Sequence, residues 1–134
     1  MSDKKPIIWV IDDVQLDRLI CKMVIDNVLE NTIIETLENG QEAIDRLVKI
    51  GLTQPDILPD YIFLDIYMPV MNGWQLLAEL ERLDIFCDKQ VHIFMLSSSI
   101  MAKDIQNARA NLLVEDFISK PITPKLVEKI FCAA

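Results

Sequence analysis

Five residues of this chain are of the types that move phosphoryl groups, and each stands directly after, or within two residues of, an apolar run. Asp12 and Asp13 close the run Ile7-Ile8-Trp9-Val10-Ile11, and Asp65 closes Tyr61-Ile62-Phe63-Leu64. Ser97 ends a largely apolar stretch over residues 91–96, and Lys120 follows a mixed stretch over residues 113–118 in which Leu113, Val114, Phe117 and Ile118 flank two acidic residues. If these run ends meet, three carboxylates share one place, and a pair about 5 Å apart at an effective dielectric near 20 repels by roughly 3 kcal/mol. Positive charge must therefore stand among them. Lys120 neutralises one, and a divalent cation that prefers oxygen would neutralise the rest. Mg²⁺ is the natural candidate, because it takes one or two carboxylates, keeps several waters and works with phosphate substrates. A carboxylate so placed can attack a phosphoryl group and form an acyl phosphate. Such a transfer depends on in-line positioning and on stabilising charge over the equatorial phosphoryl oxygens, which a metal, a lysine ammonium and a serine hydroxyl would each address. The phosphorylated aspartate would carry up to about two negative charges, enough to draw in Ser97 and Lys120 and alter the nearby surface.

The elements that must position these residues are legible as a regular alternation. The run at residues 7–11 is apolar without a break, the pattern of a strand covered on both faces. Over residues 16–29, Leu16, Leu19, Ile20, Met23, Val24, Val28 and Leu29 recur at helical spacing with charges between them, which predicts an amphipathic helix. A second strand is expected over residues 32–37, and Asn39-Gly40 opens a second helix carrying Ala43, Ile44, Leu47 and Val48 on one face. Residues 51–59 hold two prolines and a glycine and read as a surface connection. The third strand, 61–64, is followed by a loop with Met68-Pro69 and Asn72-Gly73 and a helix over about 74–83. A fourth strand at 91–96 runs into Ser97-Ser98-Ser99, a helix spans roughly 101–110, and a fifth strand at 113–118 precedes Lys120-Pro121 and a last helix from near Pro124. Strand and helix alternate five times, with crossovers long enough for parallel pairing, so the chain is read as one doubly wound α/β domain with a parallel sheet, over residues 1–134. In such sheets ligands bind beyond the carboxyl ends of the strands. That is where the candidate residues lie.

Composition narrows the partners. With 134 residues, about half of them apolar, the chain closes one core of ordinary size. The net charge of −8 repels a phosphate backbone and an anionic membrane, so neither nucleic acid nor membrane is expected as a partner. Cys21, Cys87 and Cys132 are odd in number and widely spaced, which fits buried or partly buried thiols in a reducing cytoplasm and no zinc site. His92 lies inside a strand and is read as structural, and Trp9 and Trp74 as packing residues, Trp74 partly exposed.

Asp12-Asp13, Asp65-Ile66-Tyr67-Met68-Pro69 with Asn72-Gly73, Ser97, Phe117 and Lys120-Pro121, in this order on these elements, resemble the response-regulator receiver domain over essentially the whole chain. The resemblance implies a flavodoxin-like strand order 2-1-3-4-5 and a stand-alone receiver without an effector domain. It implies Asp65 as phosphoacceptor, and Mg²⁺ held by Asp12, Asp13, Asp65 and the backbone carbonyl of Tyr67. Lys120 would pair with the phosphoryl group and precede a cis peptide to Pro121, and Ser97 and Phe117 would form the switch pair. The implied partners are a sensor histidine kinase or phosphotransfer protein and a downstream protein target, for a cytoplasmic monomer or weak dimer that turns over no outside substrate. The switch positions carry serine and phenylalanine where threonine and tyrosine are common, and residues 51–59 are longer than the same connection in many receivers.

Three other readings compete. A Mg²⁺-dependent aspartyl phosphatase resembles a different pattern, Asp-x-Asp after the first strand, which Asp12-Asp13-Val14-Gln15 lacks. A flavin-phosphate module needs glycine or hydroxyl residues in the first loop, where two aspartates would repel phosphate. A receiver fold that is never phosphorylated has no need of the full residue set. Taken singly, Asp12 or Asp13 is as well explained by capping the first helix.

Overall fold

A computed structural model describes residues 5–87, 89–98 and 101–132. Ser99, the last of the serine triplet, lies outside the described residues. Five strands, β1 (Ile7–Ile11), β2 (Ile33–Leu37), β3 (Tyr61–Asp65), β4 (His92–Ser97) and β5 (Val114–Ser119), alternate with α1 (Gln15–Val28), α2 (Gly40–Thr53), α3 (Gly73–Leu83), α4 (Ala102–Ala110) and α5 (Pro124–Cys132). The strands form one parallel sheet in the order β2-β1-β3-β4-β5, as expected.

The continuous apolar runs become the three central strands because both of their faces are covered. Ile8, Val10, Phe63, Phe94 and Leu96 meet Cys21 and Ile25 of α1 and Val127 of α5. Ile7, Trp9, Ile11, Ile62, Leu64, Ile93 and Met95 meet α2 and α3 through residues such as Ile44, Leu47, Leu76 and Leu80, with Ala108 of α4. The edge strands β2 and β5 are only partly covered. Two helices start on side-chain caps legible in the sequence: Asn39 accepts from the Glu42 N–H at 2.7 Å, and Asn72 and Gln75 exchange bonds of 2.9 Å in a capping box.

Three expectations need correction. Residues 51–59 are not wholly a connection: α2 runs on through Gly51 to Thr53, a short 3₁₀ turn covers Pro55–Ile57, and Leu58 is buried. Gly51 costs the helix about 1 kcal/mol relative to alanine, and a Cβ there would stand 3.4 Å from Ile85, an ordinary contact that does not require glycine; the helix nevertheless runs through it and stops only before Pro55. Among the thiols only Cys21 is buried, whereas Cys87 and Cys132 are exposed. Finally, α1 is apolar on two sides. At about 100° per residue, Leu16, Leu19 and Met23 lie opposite the buried Cys21 and Ile25, and they remain exposed along with Ile20. Among the described residues no helix is long and apolar enough to cross a membrane.

Candidate functional site

Strand register brings the candidate residues to one edge. Ile11 pairs with Leu64, so Asp12 and Asp65 are next in line on neighbouring strands, and Asp65 itself pairs with Leu96 beside Ser97. Ser97 pairs with Ser119, and the Lys120 N–H donates to the Ser97 carbonyl at 2.9 Å. Four strand ends therefore converge because the chain leaves β1 for the sheet edge at β2 and returns to β3 on the other side.

One oxygen each from Asp12, Asp13 and Asp65 lies within 4.8 Å of the others. Asp12 and Asp65 are buried, whereas Asp13 is exposed. Neither Asp12 nor Asp13 caps α1: the cap position is Val14, whose N–H donates to Asp12 Oδ1 at 3.0 Å. The plain helix-cap reading of these aspartates fails on this point. The Lys120 ammonium stands 2.7 Å from Asp12, 2.9 Å from Asp17 and 3.3 Å from Asp65. Burial alone pulls this ammonium down, but its bonds to Asp12 and Asp17 and the charges of Asp65 and Asp12 reverse that and hold it above its ordinary value. Burial pushes the Asp65 carboxyl up to about 6, with the Asp12 charge adding to the rise and Lys120 working against it. Cys21, beside the cluster, is pushed up to about 12, first by burial and then by Asp12, which leaves an inert thiol. With oxygen donors only, the cluster suits a hard divalent cation.

The remaining predicted positions surround this centre. Ser97 is buried, Phe117 is half-buried against the α2, α3 and α4 side of the core, and the Lys120–Pro121 peptide bond is cis. Gly73 starts α3 hard against the acidic strand end, since a Cβ there would fall 2.7 Å from the Asp65 carbonyl oxygen. His92 lies at the opposite end of the sheet, stacked on Tyr61 and 2.5 Å from Glu115. It takes no part in the cluster.

Sequence reading missed Asp17, Arg18 and Asp104. Arg18 donates to the Asp12 carbonyl at 2.7 Å. Asp17 was findable, because it lies one turn before the buried Cys21 and so on the sheet-facing side of α1. Asp104, buried in the first turn of α4, accepts from the Tyr67 hydroxyl at 2.5 Å, and no local pattern announces that pairing across 37 residues. It ties α4 to the loop after β3. Ala108 is the one apolar side chain of α4 that is fully buried among the described residues, so this bond matters to the helix. Tyr67→Phe is expected to cost about 1–2 kcal/mol and to speed hydrogen exchange over residues 102–110; unchanged exchange there would exclude the tie.

The chain is similar to known proteins over nearly its whole length. The sequence profile of the response regulator receiver domain matches residues 8–131. A protein-glutamate methylesterase/protein-glutamine glutaminase of Clostridium acetobutylicum is 37% identical over 131 residues, 96% of this chain and 34% of that protein. The corresponding enzyme 3 of Vibrio cholerae is 32% identical over 138 residues, 95% of this chain and 35% of that protein. The chain thus spans about a third of the length of these curated relatives. A two-component response regulator from Cytophaga hutchinsonii superposes with a TM-score of 0.87 at 25% identity, covering 96% of both chains. One from Legionella pneumophila gives 0.75 at 28% identity with the same coverage.

Proposed function

The chain belongs to the response regulator receiver domain family, and on that premise we propose that it is a two-component phosphorylation switch with Asp65 as the phosphoacceptor. The observation that carries this reading is the Lys120 ammonium, in reach of Asp65 and Asp12 together, at the edge of an all-oxygen acidic cluster. Asp12, Asp13, Asp65 and the Tyr67 carbonyl would hold Mg²⁺. Bonds of about 2.1 Å place octahedral ligands about 3 Å apart when adjacent and about 4 Å when opposite. Oxygens up to 4.8 Å apart therefore fit a cation held by one or two carboxylates directly and by the rest through water. When bound, Mg²⁺ would neutralise charge on the phosphoryl oxygens.

The side chains do the rest. An Asp65 carboxylate oxygen attacks phosphorus in line, the bond from phosphorus to the donor atom breaks, and an acyl phosphate remains. Lys120 then turns an N–H to one phosphoryl oxygen and Ser97 its hydroxyl to another. Phe117 would follow Ser97 inward, so that output rests on packing and shape and reaches a protein target. Attack needs the ionised carboxylate, which burial and the Asp12 charge push up to about 6 in the metal-free protein; a bound cation would favour the charged form, so with Mg²⁺ the rate should fall only at lower pH. The domain would act on itself alone, in the cytoplasm, and without a separate substrate.

A histidine kinase or phosphotransfer protein must bring its phosphoryl group in line with Asp65 and so must rest on the rim of the site. Leu16, Leu19, Ile20 and Met23 form an exposed apolar stripe on α1, the helix whose first turn also carries Asp17 to Lys120. We assign the donor to that stripe. Leu19→Asp is expected to lower the rate of transfer from a protein donor, relative to that from acetyl phosphate, by tenfold or more. An unchanged ratio would place the donor elsewhere.

The deciding experiment follows intact mass during incubation with Mg²⁺ and acetyl phosphate or phosphoramidate. A labile gain of one phosphoryl group, absent with chelator and in Asp65→Asn, is the expected result. No adduct from these donors or from a panel of kinases and phosphotransfer proteins would leave a receiver fold that is never phosphorylated.

A further inference from the structure

Asp17 has no part in metal binding or phosphoryl attack, although it holds the Lys120 ammonium at the centre of the site. An ammonium offers three N–H groups, and around Lys120 stand three carboxylates: Asp12 at 2.7 Å, Asp17 at 2.9 Å and Asp65 at 3.3 Å. Asp12 and Asp65 approach from neighbouring strand ends, while Asp17 reaches in from the first turn of α1. Asp17 is also not one of the three carboxylates whose oxygens gather within 4.8 Å. It grips the lysine from outside the group that would take a metal.

We propose that Asp17 is a positioning residue for phosphoryl transfer: it fixes the Lys120 ammonium from the α1 side, so that the ammonium stays over Asp65 when Asp12 turns to a cation. This rests on the reading of Asp65 as phosphoacceptor. The need follows from the lysine itself, a point charge on a flexible four-carbon stem with rotatable donors. Once Asp12 is engaged elsewhere, Asp17 is the carboxylate partner that remains beside the acceptor. The phosphoryl oxygen can then take the N–H that faced Asp65 without the whole side chain having to be ordered at that moment.

Two effects of removing Asp17 have opposite signs, and this makes the idea testable. Deleting a negative charge near the site eases entry of any anion, which on its own would tighten binding of a phosphoryl mimic. Losing an anchor for Lys120 weakens it. Beryllofluoride binding to the protein at saturating Mg²⁺, followed by ¹⁹F NMR or calorimetry, reads the balance. Asp17→Ala is expected to bind about tenfold more weakly than the parent, while Asp17→Asn, which keeps an oxygen for Lys120 but no charge, binds at least as well as the parent. Asp17→Ala binding as tightly as the parent or tighter would overturn the proposal, and so would equal weakening in both variants. Asp17 is half-exposed, and thermal melts of both variants check that the fold survives. The Lys120 side-chain order parameter, measured without metal, should drop in Asp17→Ala and recover in Asp17→Asn. If the parent protein itself fails to bind beryllofluoride, the acceptor reading fails instead.

Discussion

Lys120→Ala is expected to destabilise the metal-free protein by about 3–5 kcal/mol at pH 8, the range for deleting one partner of a buried charge cluster. The lysine side chain is 16% accessible, against 2% and 7% for Asp12 and Asp65, so water replaces it poorly. Its loss leaves those two carboxylates, with Asp17 beside them, facing one another uncompensated. They can relieve the repulsion by taking up protons, so the penalty should shrink as pH falls toward about 5. Added Mg²⁺ should stabilise the variant more than the parent, because a bound cation restores the missing charge. Urea unfolding followed by circular dichroism, with chelator and with Mg²⁺ at pH 5 and pH 8, measures all three effects. Equal stability of variant and parent at pH 8 in chelator would mean that the carboxylates are relieved by water and that the charge argument is wrong.

For Asp65→Asn the expected change in stability has the opposite sign. Burial and the Asp12 charge push the Asp65 carboxyl up to about 6 from an ordinary 3.8. Between those values the folded chain holds a proton that the unfolded chain releases. The stability this group contributes is therefore complete below about pH 4 and is lost as pH rises through about 6. At neutral pH Asp65 is a charge that the fold would be better without. Asparagine removes it, and a gain of about 1–3 kcal/mol is expected at pH 7.5 in chelator, fading below pH 4. The same substitution should abolish the phosphoryl adduct. A variant that melts at or below the parent temperature at pH 7.5 would show that Asp65 is not strained by its surroundings. Loss of the adduct together with a gain in stability is the signature of a residue kept for chemistry at a cost to the fold.

Much of this was legible in the residues. Unbroken apolar runs such as residues 7–11 and 61–64 have to be covered on both faces, and helical periods between strands require parallel crossovers, so an α/β sandwich follows from local pattern alone. A polar residue that follows a strand of a parallel sheet sits at the carboxyl end of that sheet whatever its partners, which is why Asp12, Asp65, Ser97 and Lys120 could be named as one site. Periodicity shows that a helix has an apolar side but not which apolar side is covered. In α1 the sheet takes Cys21 and Ile25 and leaves Leu16, Leu19 and Met23 to solvent. Likewise Gly51 reads as a break, yet α2 runs through it to Thr53. Long-range pairs are the extreme case. Lys120 with Asp17 and Tyr67 with Asp104 join residues 103 and 37 positions apart, and both depend on where whole elements dock. The sequence by itself determined the elements and the kinds of residue at their ends, because those follow from burial of neighbours along the chain. Only the tertiary structure decided which charges share a cation and which apolar face stays open, because both are set by distances between elements that no local period encodes.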